Sequence, residues 1–146
     1  MRWENLRHLF GVPDDPVVED INEIEPRALN ARELDLISSI LHTNEDWKDV
    51  DLSRTTVVAE GHCGRNGTNF CTILKSPEPE SLGAKSDRDG VGQLWINLDD
   101  GSVINAQLTQ SEGRLQELYL IYVDPKDSHR KLPAEWHEVS REAVPM

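Results

Sequence analysis

Along the first ten residues the apolar side chains fall at Trp3, Leu6, Leu9 and Phe10, a spacing that lines one side of a helix. Gly11 and Pro13 supply the stop, so a short amphipathic helix is predicted over 2–10. From Asp14 to Glu25 six carboxylates surround Val17, Val18, Ile21 and Ile24, with no Lys or Arg among them and Pro16 interrupting. That stretch, 14–25, reads as an irregular acidic arm. The clearest helix follows it. Asn30 can cap the free backbone N–H groups while Glu33 reaches back, and Leu29 and Leu34 sit at the spacing of a hydrophobic staple. Leu34, Ile37 and Leu41, flanked by Leu36 and Ile40, form its apolar face, and it should end near His42.

After Arg54 the period changes to two. Residues 55–60 and 68–74 flank Asn66-Gly67, the pair best suited to the two positive φ angles of a type I′ turn, and this predicts a hairpin. Residues 76–90 lack any period and contain Pro77, Pro79 and Gly83, so they read as a long mobile loop. A meander follows over 92–98, 103–109 and 115–123, with turns at Asp100-Gly101 and Glu112-Gly113. Two-residue turns would put Leu94, Ile96, Leu98, Val103, Leu118, Leu120 and Tyr122 on one face. Trp95, Ile104, Ala106, Leu108, Tyr119 and Ile121 would then share the other. Both faces would be apolar, which implies cover on both sides: helices on one, and chain termini or a second copy on the other. Leu132, Pro133 and Trp136 anchor the tail. The expected fold is a single α+β domain over 1–146. Its antiparallel sheet of about five strands, hairpin plus meander, would pack against one or two N-terminal helices.

The chain is 146 residues long, 37% hydrophobic and 29% charged, which is globular composition. It carries 27 acidic against 15 basic side chains, a net charge of −12. That balance repels phosphate backbones and anionic lipid surfaces, so neither nucleic acid nor membrane is an expected partner. No run approaches the roughly 20 apolar residues of a spanning helix, and the N-terminus lacks the apolar centre of a secretion signal. A cytoplasmic location and two reduced thiols are the expectation.

Thiolate and imidazole are the groups that bind zinc and perform nucleophilic catalysis, which singles out His62, Cys63 and Cys71. Cys63 with His62 is the candidate catalytic pair, and the three together are the candidate metal set. Around a two-residue Asn66-Gly67 turn, His62 would pair with Cys71 and Cys63 with Phe70, sending the sulfurs to opposite faces. A bulge at Gly64 would reverse that parity. No second close His or CxxC completes a ligand set, and the common hydrolase, nucleotide-binding and calcium-loop patterns are missing. No cofactor is therefore expected.

The acidic residues remain. They cluster at Asp14, Asp15, Glu19 and Asp20 and again at Glu45, Asp46 and Asp49, with Trp47 inside the second cluster. Such runs are most often solvated faces, but they can also steer a basic partner, with Trp47 as the aromatic anchor.

Three stretches carry a resemblance: Val57-Val58-Ala59-Glu60-Gly61-His62-Cys63-Gly64, then Gly113-Arg114-Leu115-Gln116-Glu117-Leu118 leading to Tyr122, then Leu132-Pro133. Over 27–133 the chain resembles a group of small uncharacterised bacterial α+β proteins in which a capped, Leu-rich helix precedes a Cys-Gly hairpin and a meander. These are similar in size and acidity to immunity proteins that neutralise toxins. Where the group carries a further Cys and a Pro after Cys-Gly, this chain has Arg65 and Asn66. The resemblance implies a non-catalytic module that binds a basic protein through its acidic surface. The alternative is a Cys/His enzyme or metal module built on the 62–71 hairpin. A homodimer through the second sheet face is compatible with either.

Overall fold

A computed structural model describes residues 16–81, 89–126 and 130–146. The segment 2–10, read as a helix, lies outside them, as do Asp14, Asp15 and residues 82–88 of the expected loop. Among the described residues seven antiparallel strands form one sheet: β1 Val17–Ala28, β2 Thr56–Arg65, β3 Asn69–Lys75, β4 Gly90–Leu98, β5 Val103–Ser111, β6 Arg114–Val123 and β7 Glu138–Val144. Their order across the sheet is β1-β2-β3-β6-β5-β4-β7. The single helix among the described residues is α1, Ala31–Leu41.

The protein is thus mostly β, which corrects the expected five-strand sheet with one or two helices. The hairpin is β2–β3 and the meander is β4–β5–β6. The two additional strands come from the arm read as irregular and from the tail, where no strand was expected. Part of the acidic arm is β1, and the tail supplies β7. The β1–β2 register slips between Glu23 and Arg27, where Pro26 has no N–H to give the ladder.

Helix α1 starts as its sequence requires. Asn30 Oδ1 accepts from the Glu33 amide at 2.8 Å, and Glu33 Oε1 accepts from the Asn30 amide at 2.9 Å. Leu36, Ile37, Ile40 and Leu41 are buried against the sheet, while Leu34 faces solvent. Gly92 lets the helix approach, since a Cβ there would stand 2.9 Å from Ile40 Cγ2.

The meander register differs from the expected one. Asn97 pairs with Val103, Ile96 with Ile104 and Leu94 with Ala106, so the β4–β5 connection is longer than two residues. One residue of slip exchanges the faces of β5. Ile104, Ala106 and Leu108 therefore join Leu94, Ile96, Leu118, Leu120 and Tyr122 in one core beneath α1. The far face carries Gln93, Asn97, Asn105, Gln107 and Glu117 beside Trp95, Tyr119 and Ile121. There Asn105 Nδ2 donates to Gln93 Oε1 at 3.1 Å, and Gln107 Nε2 to Asn105 Oδ1 at 2.7 Å. The second face is consequently mixed and hydrogen-bonded, and the premise of the homodimer reading, a doubly apolar sheet, does not hold.

Candidate functional site

The chemistry singled out in the sequence sits on the β2–β3 hairpin, and one residue decides how it is arranged. Asn66 and Gly67 take the positive φ angles of the turn, 56° and 66°. Gly64 is also left-handed, at 78°, and absorbs one extra residue as a bulge. Cys63 then pairs with Asn69, His62 with Phe70 and Gly61 with Cys71. The two sulfurs share the far face of the sheet, contrary to the simple-turn expectation, and His62 points to the helix side. A side chain at Gly64 is strained by the left-handed φ, and its Cβ, 2.5 Å from Asn69 Nδ2, would also push the Asn69 side chain aside.

On the far face, Cys63 and Cys71 are reduced and buried, in a cleft of about 540 Å³ edged by Glu19 and Ile21 of β1 and by Glu117 and Tyr119 of β6. The Cys71 thiol donates to Cys63, which lowers the Cys63 pKa and raises that of Cys71. Burial of Cys63, with the Glu117 and Glu19 carboxylates, opposes its ionisation. Tyr119 also bonds Cys63. Its hydroxyl accepts from Asn69 Nδ2 at 3.0 Å, and burial pushes its pKa up to about 12. Asn69 Oδ1 in turn accepts from the Tyr122 amide at 3.0 Å. This is a thiol pair held by a tyrosine, and His62, the imidazole next to it in sequence, lies on the other side of the sheet.

The expected combinations therefore do not form. His62 cannot serve Cys63 as a base or join Cys63 and Cys71 around one metal, because adjacent strand residues face opposite ways. Among the described residues no three His, Cys, Asp or Glu side chains are grouped to hold a metal ion.

The helix side has its own cleft, of about 330 Å³, between the start of α1, strands β2, β3 and β6, and residues 132–136. Leu36, Phe70, Leu118 and Leu120 contribute apolar lining. The Phe70 and His62 rings meet edge to face, centroids 5.3 Å apart at 81°. His62 Nδ1 is buried with no hydrogen-bond partner. Arg27 closes one wall by pairing with both carboxylates of that wall, Glu33 at 2.8 and 2.9 Å and Glu60 at 3.0 Å. Arg32 stacks on Trp136, its guanidinium carbon 3.8 Å from the ring centroid, and Nη1 donates to the Ala134 carbonyl at 2.6 Å.

The proposed docking residues divide. Glu19 and Asp20 are exposed on β1, and Glu23 and Glu25, further along the same strand, are exposed with them. Glu45, Asp46 and Asp49 are exposed in the loop after α1, where Asn44 ties to the Val91 carbonyl and Glu45 pairs with Lys48 at 2.9 Å. Trp47 is 2% exposed and belongs to the core, so its indole is an internal anchor and not a surface one. Tyr119, Asn69 and Glu117 escaped the sequence reading because only the β3–β6 pairing brings them to the thiols. Arg27 and Arg32 escaped it because no local motif marks them.

Comparison with known protein families, with curated proteins and with solved structures gives no match.

Proposed function

We propose that the chain is a non-catalytic binding module that docks a basic, extended protein segment along β1. The observation carrying this reading is that β1 is, among the described residues, the outermost strand on its side of the sheet and bears four exposed carboxylates. Glu19, Asp20, Glu23 and Glu25 have no ion-pair partner among the described residues. A free strand edge offers backbone N–H and C=O groups to an incoming strand. Carboxylates along that edge repel a second copy of the same strand and favour a cationic one. The overall charge of −12 draws such a partner in from a distance. Asp14 and Asp15 directly precede β1 in the chain and would extend the same charge. The immunity-like role implied by the resemblance is one form of this function, a toxin being the basic partner.

The test is capture from the native host at low and high salt, comparing the natural chain with the quadruple variant E19Q/D20N/E23Q/E25Q. A basic protein retained by the natural chain, released by salt and missed by the variant, with its contact mapped to β1 amides by hydrogen exchange, is the expected result. Equal capture by both chains would remove the reading.

A further inference from the structure

The geometry points to the helix-side cleft as a binding site for a small aromatic carboxylic acid that carries a hydroxyl group. This site takes Arg27 from β1 but none of the four docking carboxylates, and it does not depend on them. At about 330 Å³ the cleft lies at the small end of the range for organic ligands. Its apolar lining suits a ring, and the edge-to-face pair of Phe70 and His62 presents aromatic surface to it.

Arg32 supplies the carboxylate handle. Among the described residues it has no acidic partner, whereas Arg27 is satisfied by Glu33 and Glu60. Stacking on Trp136 and the bond to Ala134 hold the planar fork in place, so little side-chain freedom remains to be lost on binding. The remaining N–H groups of Arg32 match the planar acceptor geometry of a carboxylate.

His62 supplies the second point of recognition. A buried ring nitrogen without a partner is costly unless something else satisfies it. A hydroxyl can donate to Nδ1 or accept from it, so it fits either tautomer of the ring. Glu33 and Glu60 stand in the same wall and disfavour a second anionic group, which restricts the ligand to a monoacid.

The experiment is a titration of the isotopically labelled full chain, following the His62 ring nitrogens and the Trp136 indole by NMR. The probes are 4-hydroxybenzoate, benzoate and the uncharged 4-hydroxybenzamide. Saturable shifts at both residues are expected with 4-hydroxybenzoate. Arg32→Gln should weaken that acid about 10-fold or more and leave the amide unchanged. His62→Phe should bring 4-hydroxybenzoate and benzoate to equal affinity. No saturable shift of His62 or Trp136 at about 10 mM probe, the affinity scale of a very weak fragment, would overturn the assignment. So would equal binding of the acid by Arg32→Gln, a substitution at an exposed side chain whose fold the same spectra would verify.

Discussion

A buried polar atom left unpaired costs the free protein the desolvation of that atom, and His62 Nδ1 is in this position. Phenylalanine keeps the ring contact with Phe70 and removes the nitrogen, so His62→Phe should raise the unfolding free energy by about 1 kcal/mol. Urea titration measures it, and a loss of similar size would mean that the nitrogen is already satisfied in solution. On the opposite face Tyr119 sets an alkaline limit. Its pKa is raised from about 10 in the unfolded chain to about 12 in the fold, chiefly by burial. The folded state therefore holds its proton where the unfolded state releases it. That contribution is complete below pH 10 and is lost as pH rises towards about 12. The bond between the thiols raises Cys71 and lowers Cys63, so their contributions oppose each other through the ordinary thiol range, and the decline that Cys71 adds falls above it. Denaturation midpoints measured from pH 10 to pH 12 should fall, and Tyr119→Phe should flatten that segment.

Local signals made some elements readable and left others hidden. The capping box at Asn30 and Glu33 and the Asn66-Gly67 turn are interactions between residues three or fewer apart, so sequence alone locates α1 and the hairpin. Register is different, because it depends on single left-handed residues that shift all following pairs. Gly64 does this for the thiols, and the long β4–β5 connection does it for the apolar set of β5. The edge strands had no pattern to read. Each is paired on one side only, β1 never alternates cleanly between buried and exposed, and Val139 in β7 is 68% exposed. Backbone pairing and the Arg141 bonds to Asp35 and Ser39 hold β7 in place. For the same reason the names of His62, Cys63 and Cys71 were visible but their faces were not. The bulge can be tested directly. Gly64→Ala combines a left-handed φ of 78° with a Cβ contact of 2.5 Å, and should cost about 2 kcal/mol or more. Thermal melts would show it, and an unchanged melt would mean that the bulge is not fixed by this glycine.

At the scale of the whole chain, the surplus of 27 acidic over 15 basic side chains should act on stability as well as on partners. Like charges spread over one surface repel in the compact state, and salt screens them within about 10 Å at 0.1 M. The ion pairs that salt would weaken, such as Arg54 with Glu78 and Lys48 with Glu45, are exposed and contribute little. Screening of repulsion should therefore win, and the melting temperature should rise by a few degrees, about 2–5 °C, between low salt and molar sodium chloride. Four of the surplus charges sit on β1, where they make no ion pair among the described residues. The E19Q/D20N/E23Q/E25Q variant should therefore melt higher than the natural chain at low salt and match it at high salt. It should lose the basic partner at the same time. A variant that instead melts lower at low salt would show that these carboxylates stabilise β1 itself. Stability and binding pulling in opposite directions is the signature of charge kept on an edge for recognition; if the carboxylates served only to block self-pairing, the variant would melt higher at low salt and begin to self-associate, with no partner to lose.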